Sequence, residues 1–472
     1  MTVLRYLVCL FVILHAGCLF SAEKPNVLFI AVDDLRTELG CYGKERIRSP
    51  NIDKLASTGI VFEKAYCMVA VCGASRASLM TGIRPKHDRF VNFATYASKD
   101  ASKAVPLNRH FKDNGYTTIG NGKIFHHNDD HANGWSLPPW RPKAPTYALP
   151  ESVRCVEERK KASGNPDARG PAWESADVDD DFYADGKTLD KSLRDLKSLA
   201  ETKKPFFLAV GFLKPHLPFV APEKYWNMYD ADDIVLPANF ELTPKNCPKG
   251  AINNYGELRQ YFGIPAKGPV PPETAKKLIH GYYACVSYTD ALIGRLLDEL
   301  NALGLGDNTI VVLWGDHGWH LGEHTLWCKH AVFENTMRVP LLIRLPKGKP
   351  GLRVQTPVEF IDIFPTLCGL ANIPVPPDAQ LQGKSLVPLI EGHDLPGPVY
   401  ATGRFGHGDT IFDGRYRYSE YRANRGKGQI QGRMLYDHAT DSQENTNVVG
   451  RPENAEVVER LSTELHRIRE LP

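Results

Sequence analysis

Two adjacent carboxylates, Asp33 and Asp34, follow directly on the apolar run Asn26–Val32. Like charges this close raise each other's pKa in a partly buried site unless a cation neutralises them. A hard ion such as Ca²⁺ or Mg²⁺ takes several carboxylate oxygens. Asp316 offers another from a distant segment, with the imidazole of His317 beside it. An Asp pair can instead cap the next turn or helix, but the second cluster at the end of another apolar run favours a metal. Lys123, His126, His216 and Lys329 bring positive charge from three further segments. Together they could hold a tetrahedral dianion and protonate a leaving group. Singly, each could be a surface lysine or a histidine satisfied by a loop carbonyl.

The segment Val71-Cys72-Gly73-Ala74-Ser75-Arg76-Ala77-Ser78-Leu79-Met80-Thr81-Gly82 is the sharpest feature. Small residues after Cys72 lead into a short helical pattern stopped by Gly82. Cys72 and Arg76 then sit at a helix N-terminus, where backbone N–H groups favour an anion. A thiol there has a lowered pKa and can act as a nucleophile. A disulfide to Cys67 and an inert buried thiol are the competing uses of Cys72. Ten cysteines are present without CxxC spacing, so a structural zinc site is not expected.

These groups need elements to carry them. Four runs of β-branched and aromatic residues each end in one of the polar clusters: Asn26–Val32, Tyr116–Gly120, Pro205–Val210 and Thr309–Trp314. Continuous apolar runs of this length suit strands buried on both faces, as in a mostly parallel sheet. Helical patterns lie between them: one from Ser49-Pro50 to Gly59, one framed by Pro106 and Gly115, and a long one from Glu273 to Leu303 closed by Gly304. Strands alternating with helices predict an α/β sandwich, whose ligands sit at the carboxyl ends of the strands. All the polar clusters fall at that edge.

After Pro340 the texture changes. Leu341–Leu345 reads as one more strand, and prolines and glycines then multiply through Pro396. Thr410–Phe412, Tyr416–Tyr418 and Met434–Tyr436 fit a small antiparallel sheet, and Ala455–Leu471 a terminal helix. The expected division is a leader at 1–22, a catalytic domain at 23–350 and a C-terminal subdomain at 351–472. The acidic run Asp177–Asp181 reads as a solvated helix start.

The chain has 472 residues, 42% hydrophobic and 24% charged, an ordinary globular balance with room for a large core. Its net charge of +2 argues against general nucleic-acid binding. Met1–Ala22 reads as an export signal: Arg5 is the positive end, Leu7–Leu14 the apolar stretch, and Ser21-Ala22 the small pair at the cleavage site. His15 interrupts that run well short of the roughly 20 apolar residues a transmembrane anchor needs, and no other run is long enough. The expected location is periplasmic, secreted or lumenal. Ala16-Gly17-Cys18 hints at lipid attachment, although a bulky leucine would be expected where His15 stands.

Cys72-Gly73-Ala74-Ser75-Arg76 resembles the sulfatase signature Cys-x-Pro/Ala-Ser-Arg. Asp33-Asp34, Gly122-Lys123 with His126, Lys214-Pro215-His216, and Asp316-His317-Gly318 with Lys329 match that family in order. Phe212–Phe219 and Gly318–His324 look most like iduronate-2-sulfatases. Leu435-Tyr436-Asp437 with Asn445-Thr446-Asn447 is similar to a common sulfatase ending. The resemblance implies an alkaline-phosphatase-like fold and oxidation of Cys72 to formylglycine (3-oxoalanine) by a maturation enzyme. It implies Ca²⁺ held by Asp33, Asp34, Asp316 and His317, with the modified Cys72 completing contact near the metal. The hydrated aldehyde would attack the sulfur of a sulfate ester, with Arg76 and the metal stabilising charge. Lys123 and Lys329 would bind sulfate oxygens, and His216 or Lys329 would protonate the departing alcohol. His126 would help the remaining hydroxyl expel sulfate.

Two positions depart from the commoner pattern. Ala74 replaces proline, which leaves open which maturation machinery acts here. His317 stands where many sulfatases have asparagine, as in the iduronate-sulfatase-like subset. The favoured substrate is a carbohydrate carrying a 2-O-sulfated uronic acid, read by the loops Arg84–Phe90, Trp135–Tyr147 and Phe405–Gly414. A phosphatase or phosphonate-ester hydrolase of the same superfamily is the alternative enzyme. A catalytically silent carbohydrate-binding protein, with Cys72 a thiol or paired to Cys67, is the third reading.

Overall fold

The computed structural model describes residues 24–470 apart from 254–255, 349–350 and 377–380. The expected leader, with Cys9 and Cys18, lies outside the described residues. Along the strand Asn26–Val32, Leu28, Ile30 and Val32 enter one apolar core while Val27, Phe29 and Ala31 enter another. This is the two-residue alternation of a strand covered on both faces. The first core is closed by the helices Ala184–Thr202 and Pro272–Ala302, and the second by Cys72–Thr81, Leu107–Asp113 and Ile363–Leu370.

Asn26–Val32 is central in a seven-stranded sheet ordered Leu352–Val354, Ile60–Phe62, Leu341–Arg344, Thr309–Gly315, Asn26–Val32, Phe206–Phe212, Thr117–Gly122. The last four strands are mutually parallel, as expected, so their polar ends share one edge. Leu341–Arg344 runs antiparallel to both its neighbours. Two of the strands run two residues further than their apolar runs, because the ladder pairs Asn121 with Val210 and Gly122 with Gly211. Ladder pairing, a tertiary effect, thus overrides the weak strand preference of Asn and Gly.

Four strands, Ala401–Phe405, Gly408–Phe412, Tyr416–Arg422 and Ile430–Asp437, pair in succession as an antiparallel sheet. The helix Ala455–Arg469 buries Leu461, Leu465 and Ile468 against Ile411, Tyr418 and Leu435. The sheet is tied to the main body where the N–H of Arg404 donates to the carbonyl of Met68 at 3.0 Å. Asp177–Asp181 leads into the helix Ala184–Thr202, with Asp180 accepting from the Tyr225 hydroxyl at 2.9 Å. Among the described residues, no helix is long and apolar enough to cross a membrane.

Candidate active site

The ends of the four parallel strands converge on the N-terminus of the helix Cys72–Thr81. Asp33, Asp34, Cys72 and His216 each turn a donor atom into one cluster, and Cys72, Asp316 and His317 form a second, all atoms of a cluster lying within 4.8 Å of one another. Nε2 of His317 is 3.3 Å from Sγ of Cys72 and 3.4 Å from Oδ1 of Asp34. Asp34 holds φ at 60°, a left-handed conformation that redirects the chain just past the strand. Tyr282 braces it from the long helix, its hydroxyl donating to the Asp34 carbonyl.

Arg76 lies under this cluster, fully buried. Its Nε donates to Asp316 Oδ2 at 2.8 Å and its Nη2 to Asp33 Oδ1 at 3.1 Å, and its Nη1 bonds the carbonyls of Lys123 and Ile124. Lys123 Nζ donates to Asp33 Oδ2 at 2.5 Å. The turn carrying Lys123 requires glycine: at Gly122 φ is +73° and a Cβ would fall 2.0 Å from the Gly211 carbonyl oxygen. On the opposite side, Lys329 Nζ reaches Asp34 at 3.2 Å and Glu257 at 2.9 Å. Its neighbours Cys328 and His330 both have positive φ.

These contacts set the charge states. Despite complete burial, Lys123 and Arg76 hold Asp33 well below the usual carboxylate range. Burial, with Asp33 alongside, pushes Asp34 well above it against the pull of Lys329. A divalent cation would relieve that crowding, and carboxylate oxygens with one or two imidazoles suit a hard ion such as Ca²⁺. Lys329 is buried, yet Asp34 and Glu257 raise its pKa, so it stays charged. His216 has Nδ1 2.6 Å from the Leu217 carbonyl and Nε2 3.3 Å from Glu257, a geometry that would suit a doubly protonated ring. Burial and the Lys329 charge outweigh it and bring His216 down to about 3. Burial and Lys123 likewise lower His126 to about 2, and its Nδ1 has no hydrogen-bond partner among the described residues.

One expectation fails. Although Cys72 opens a helix, its thiol is not acidified: burial, with Asp33 facing it, pushes the pKa up to about 12. The helix terminus is outweighed because the side chain is 3% exposed among carboxylates. Nor do Cys67 and Cys72 form a disulfide; both are free, and Cys67 Sγ is directed at the Thr336 carbonyl.

Asp33, Asp34, Cys72, Arg76, Lys123, His216, Asp316, His317 and Lys329 are thus brought together, with His126 flanking Lys123. Glu257 and Tyr282 went unread in the sequence. Glu257 sits in a loop of ordinary composition, and Tyr282 looks like one more core aromatic of an amphipathic helix. Arg141 braces the His126 turn by donating to the carbonyls of Phe125 and His126 at 2.6 and 3.0 Å. Beside the cluster lies a chamber of about 460 Å³ lined by Val71, Phe93, Asn253, His330 and Arg404 among others. A larger cavity, about 1000 Å³, borders Glu334, His438 and Glu444 but not Cys72. Those three could group around a metal, but Arg417 already pairs with both glutamates.

Residues 25–373 match the sulfatase family profile, and residues 322–471 match that of the N-sulphoglucosamine sulphohydrolase C-terminal region. The chain belongs to the sulfatase family. This sulfatase is 34% identical over 421 residues to iduronate 2-sulfatase of Mus musculus, covering 79% of this chain and 75% of that protein. Its fold is shared with a protein solved in complex with its substrate D-glucosamine-2-N,6-O-disulfate, at TM-score 0.74 and 22% identity, covering 95% and 98% of the two chains. The phosphonate monoester hydrolase of Agrobacterium radiobacter superposes at TM-score 0.72 with 24% identity, covering 94% and 95%. The sulfatase therefore has the alkaline-phosphatase-like fold, and the candidate site lies at the carboxyl edge of its sheet.

Proposed function

We propose that this sulfatase is an exported, Ca²⁺-dependent sulfuric ester hydrolase acting on a sulfated carbohydrate, with 2-O-sulfated iduronate or a related uronic acid as substrate. The observation that carries this reading is the buried set of Asp33, Asp34, Asp316 and His317 gathered around position 72, with Lys123 and Lys329 facing it from two sides. Formylglycine made from Cys72 by a maturation enzyme would supply the hydrated aldehyde nucleophile, and bound Ca²⁺ would withdraw charge from the sulfate oxygens. The raised thiol pKa of Cys72 supports that reading, since burial beside Asp33 disfavours the thiolate that a direct thiol nucleophile needs.

Lys123 and Lys329 are placed to receive the sulfate oxygens. Lys329, beside Asp34, or His216, held between the Leu217 carbonyl and Glu257, would protonate the departing alcohol. His126, beside Lys123, would help the second hydroxyl expel sulfate. Arg76 holds Asp33 and Asp316 in register.

Two measurements test this. Mass spectrometry of the tryptic peptide Ala65–Arg76, from protein made in its native host, should show Cys72 with sulfur and two hydrogens lost and one oxygen gained. An intact thiol in active enzyme would sink the mechanism. Sulfate and phosphate release, assayed side by side on sugar esters and on a phosphonate monoester, should favour sulfate; the reverse ranking supports the phosphonate hydrolase alternative.

A further inference from the structure

A second basin lies against the chamber beside Cys72. That basin, about 440 Å³, shares His87 and Arg404 with the first, so the two hollows have a common wall. Lys86, Arg422, Lys427 and Arg469 complete its cationic lining, against Asp88, Asp409 and Glu470. The wall itself is short of negative charge. Arg404 Nε and Arg469 Nε lie 3.4 and 3.1 Å from Asp409, and His87 Nε2 lies 3.3 Å from it, so one buried carboxylate serves two guanidinium groups and an imidazole. His87 is also flanked on both ring nitrogens by Arg404 and Arg469. Burial lowers the Arg404 pKa, and the Arg469 charge adds to the fall. An incoming anion would relieve this surplus.

The first chamber has the complementary character. Phe93 lines it with 58% of its surface exposed, a flat apolar face of the kind a sugar ring packs on. Its backbone rests on the residue after Cys72: a Cβ at Gly73 would meet the Phe93 carbonyl oxygen at 2.4 Å. Arg404 is fixed to the same region through its N–H bond to Met68.

We propose that the basin walled by Arg404 and His87 and rimmed by Lys86 and Lys427 binds a second anionic group of the substrate, a carboxylate or sulfate on the sugar adjoining the one that carries the scissile ester. The enzyme then selects anionic oligosaccharides over isolated sulfated sugars. This rests on the sulfatase reading above.

The test uses the mature full-length enzyme and a Lys86→Ala/Lys427→Ala variant. Lys427 is an exposed side chain paired with exposed Asp88, and among the described residues the ion pairs of Asp409 are to His87, Arg404 and Arg469, so the core of the wall is kept. Each is assayed on a 2-O-sulfated monosaccharide and on a sulfated tetrasaccharide. The ratio of tetrasaccharide KM to monosaccharide KM should rise about fivefold, and the salt dependence of the tetrasaccharide KM should flatten. An unchanged ratio overturns the basin. If the unaltered enzyme releases sulfate from neither sugar, the sulfatase reading fails instead. Calorimetric binding of the tetrasaccharide to Cys72→Ala, with and without the two lysine changes, then decides the basin independently: equal affinities overturn it.

Discussion

The hydroxyl of Tyr282 spans the bend at Asp34, donating to the Asp34 carbonyl at 2.9 Å while accepting the N–H of Arg36 at 3.0 Å. A non-glycine residue in the left-handed region costs about 1 kcal/mol or more, and it persists only where its surroundings enforce it. Tyr282→Phe removes both bonds and keeps the ring, which meets Phe219 edge-on. The expected result is a fall in kcat/KM of about tenfold, with more Ca²⁺ needed for half-maximal rate. A variant whose melting temperature drops while its Ca²⁺ requirement stays put would make Tyr282 structural only.

Glu257 touches Lys329 and His216 and keeps its own pKa low through them, despite burial. Glu257→Gln should lower kcat about tenfold by loosening Lys329. KM should not rise, because a site that loses a negative charge binds a sulfate ester no less well. Steady-state kinetics that show KM rising with kcat constant would contradict this role.

Arg76, Asp33 and Asp316 form a fully buried charge triad. Arg76→Met takes the guanidinium from Asp316 and leaves Asp33 with Lys123, and urea unfolding should show a loss of about 3–5 kcal/mol. The double variant Arg76→Met/Asp316→Leu should lose less than the two single changes combined, since the partners are coupled. Additive losses would mean the pair is not the source.

Removal of the divalent ion should both silence and soften the enzyme. Dialysis against a chelator is expected to abolish sulfate release and lower the melting temperature, with Ca²⁺ restoring both in a concentration-dependent way. Full activity and an unchanged melting temperature after exhaustive chelation would remove Asp33, Asp34, Asp316 and His317 from the role of ligands.

Asp290 accepts the N–H groups of Asn51 and Ile52 at the start of the helix Pro50–Ser57, at 3.1 and 2.7 Å. Burial nevertheless raises its pKa to about 6. Because the folded value exceeds the unfolded value of about 3.9, the stabilising effect of its proton is complete below about pH 4 and is lost as pH rises through about 6. Asp290→Asn keeps one acceptor oxygen and no charge. Its urea midpoint should change less than the unaltered protein's between those two pH values, by the equivalent of about 2 kcal/mol. Identical slopes would refute the assignment.

Much of the site was legible because it lies at strand ends. A buried parallel strand needs an unbroken apolar run, so an abrupt switch to Asp33-Asp34 or Asp316-His317 marks both the strand's end and the functional edge. The signature Cys72–Arg76 was readable for a different reason, as a compact run of small residues around two chemical groups. Glu257 carries no such local mark. It joins the candidate site only because folding sets it against Lys329, far from it in the chain. The helix N-terminus at Cys72 misled in the opposite direction, since desolvation in the assembled site outweighs the local dipole.

The sequence by itself determined the α/β class, the parallel strands, the nine residues that meet at their ends and the flanking His126, because these follow from residue type and short-range pattern. Only the tertiary structure decided the opposite pKa shifts of Asp33 and Asp34, the strut from Tyr282 to Asp34 and the cationic wall of Arg404, His87 and Arg469. Those depend on burial and on distances between residues remote in sequence, and a pKa or an ion pair has no value until such neighbours are in place.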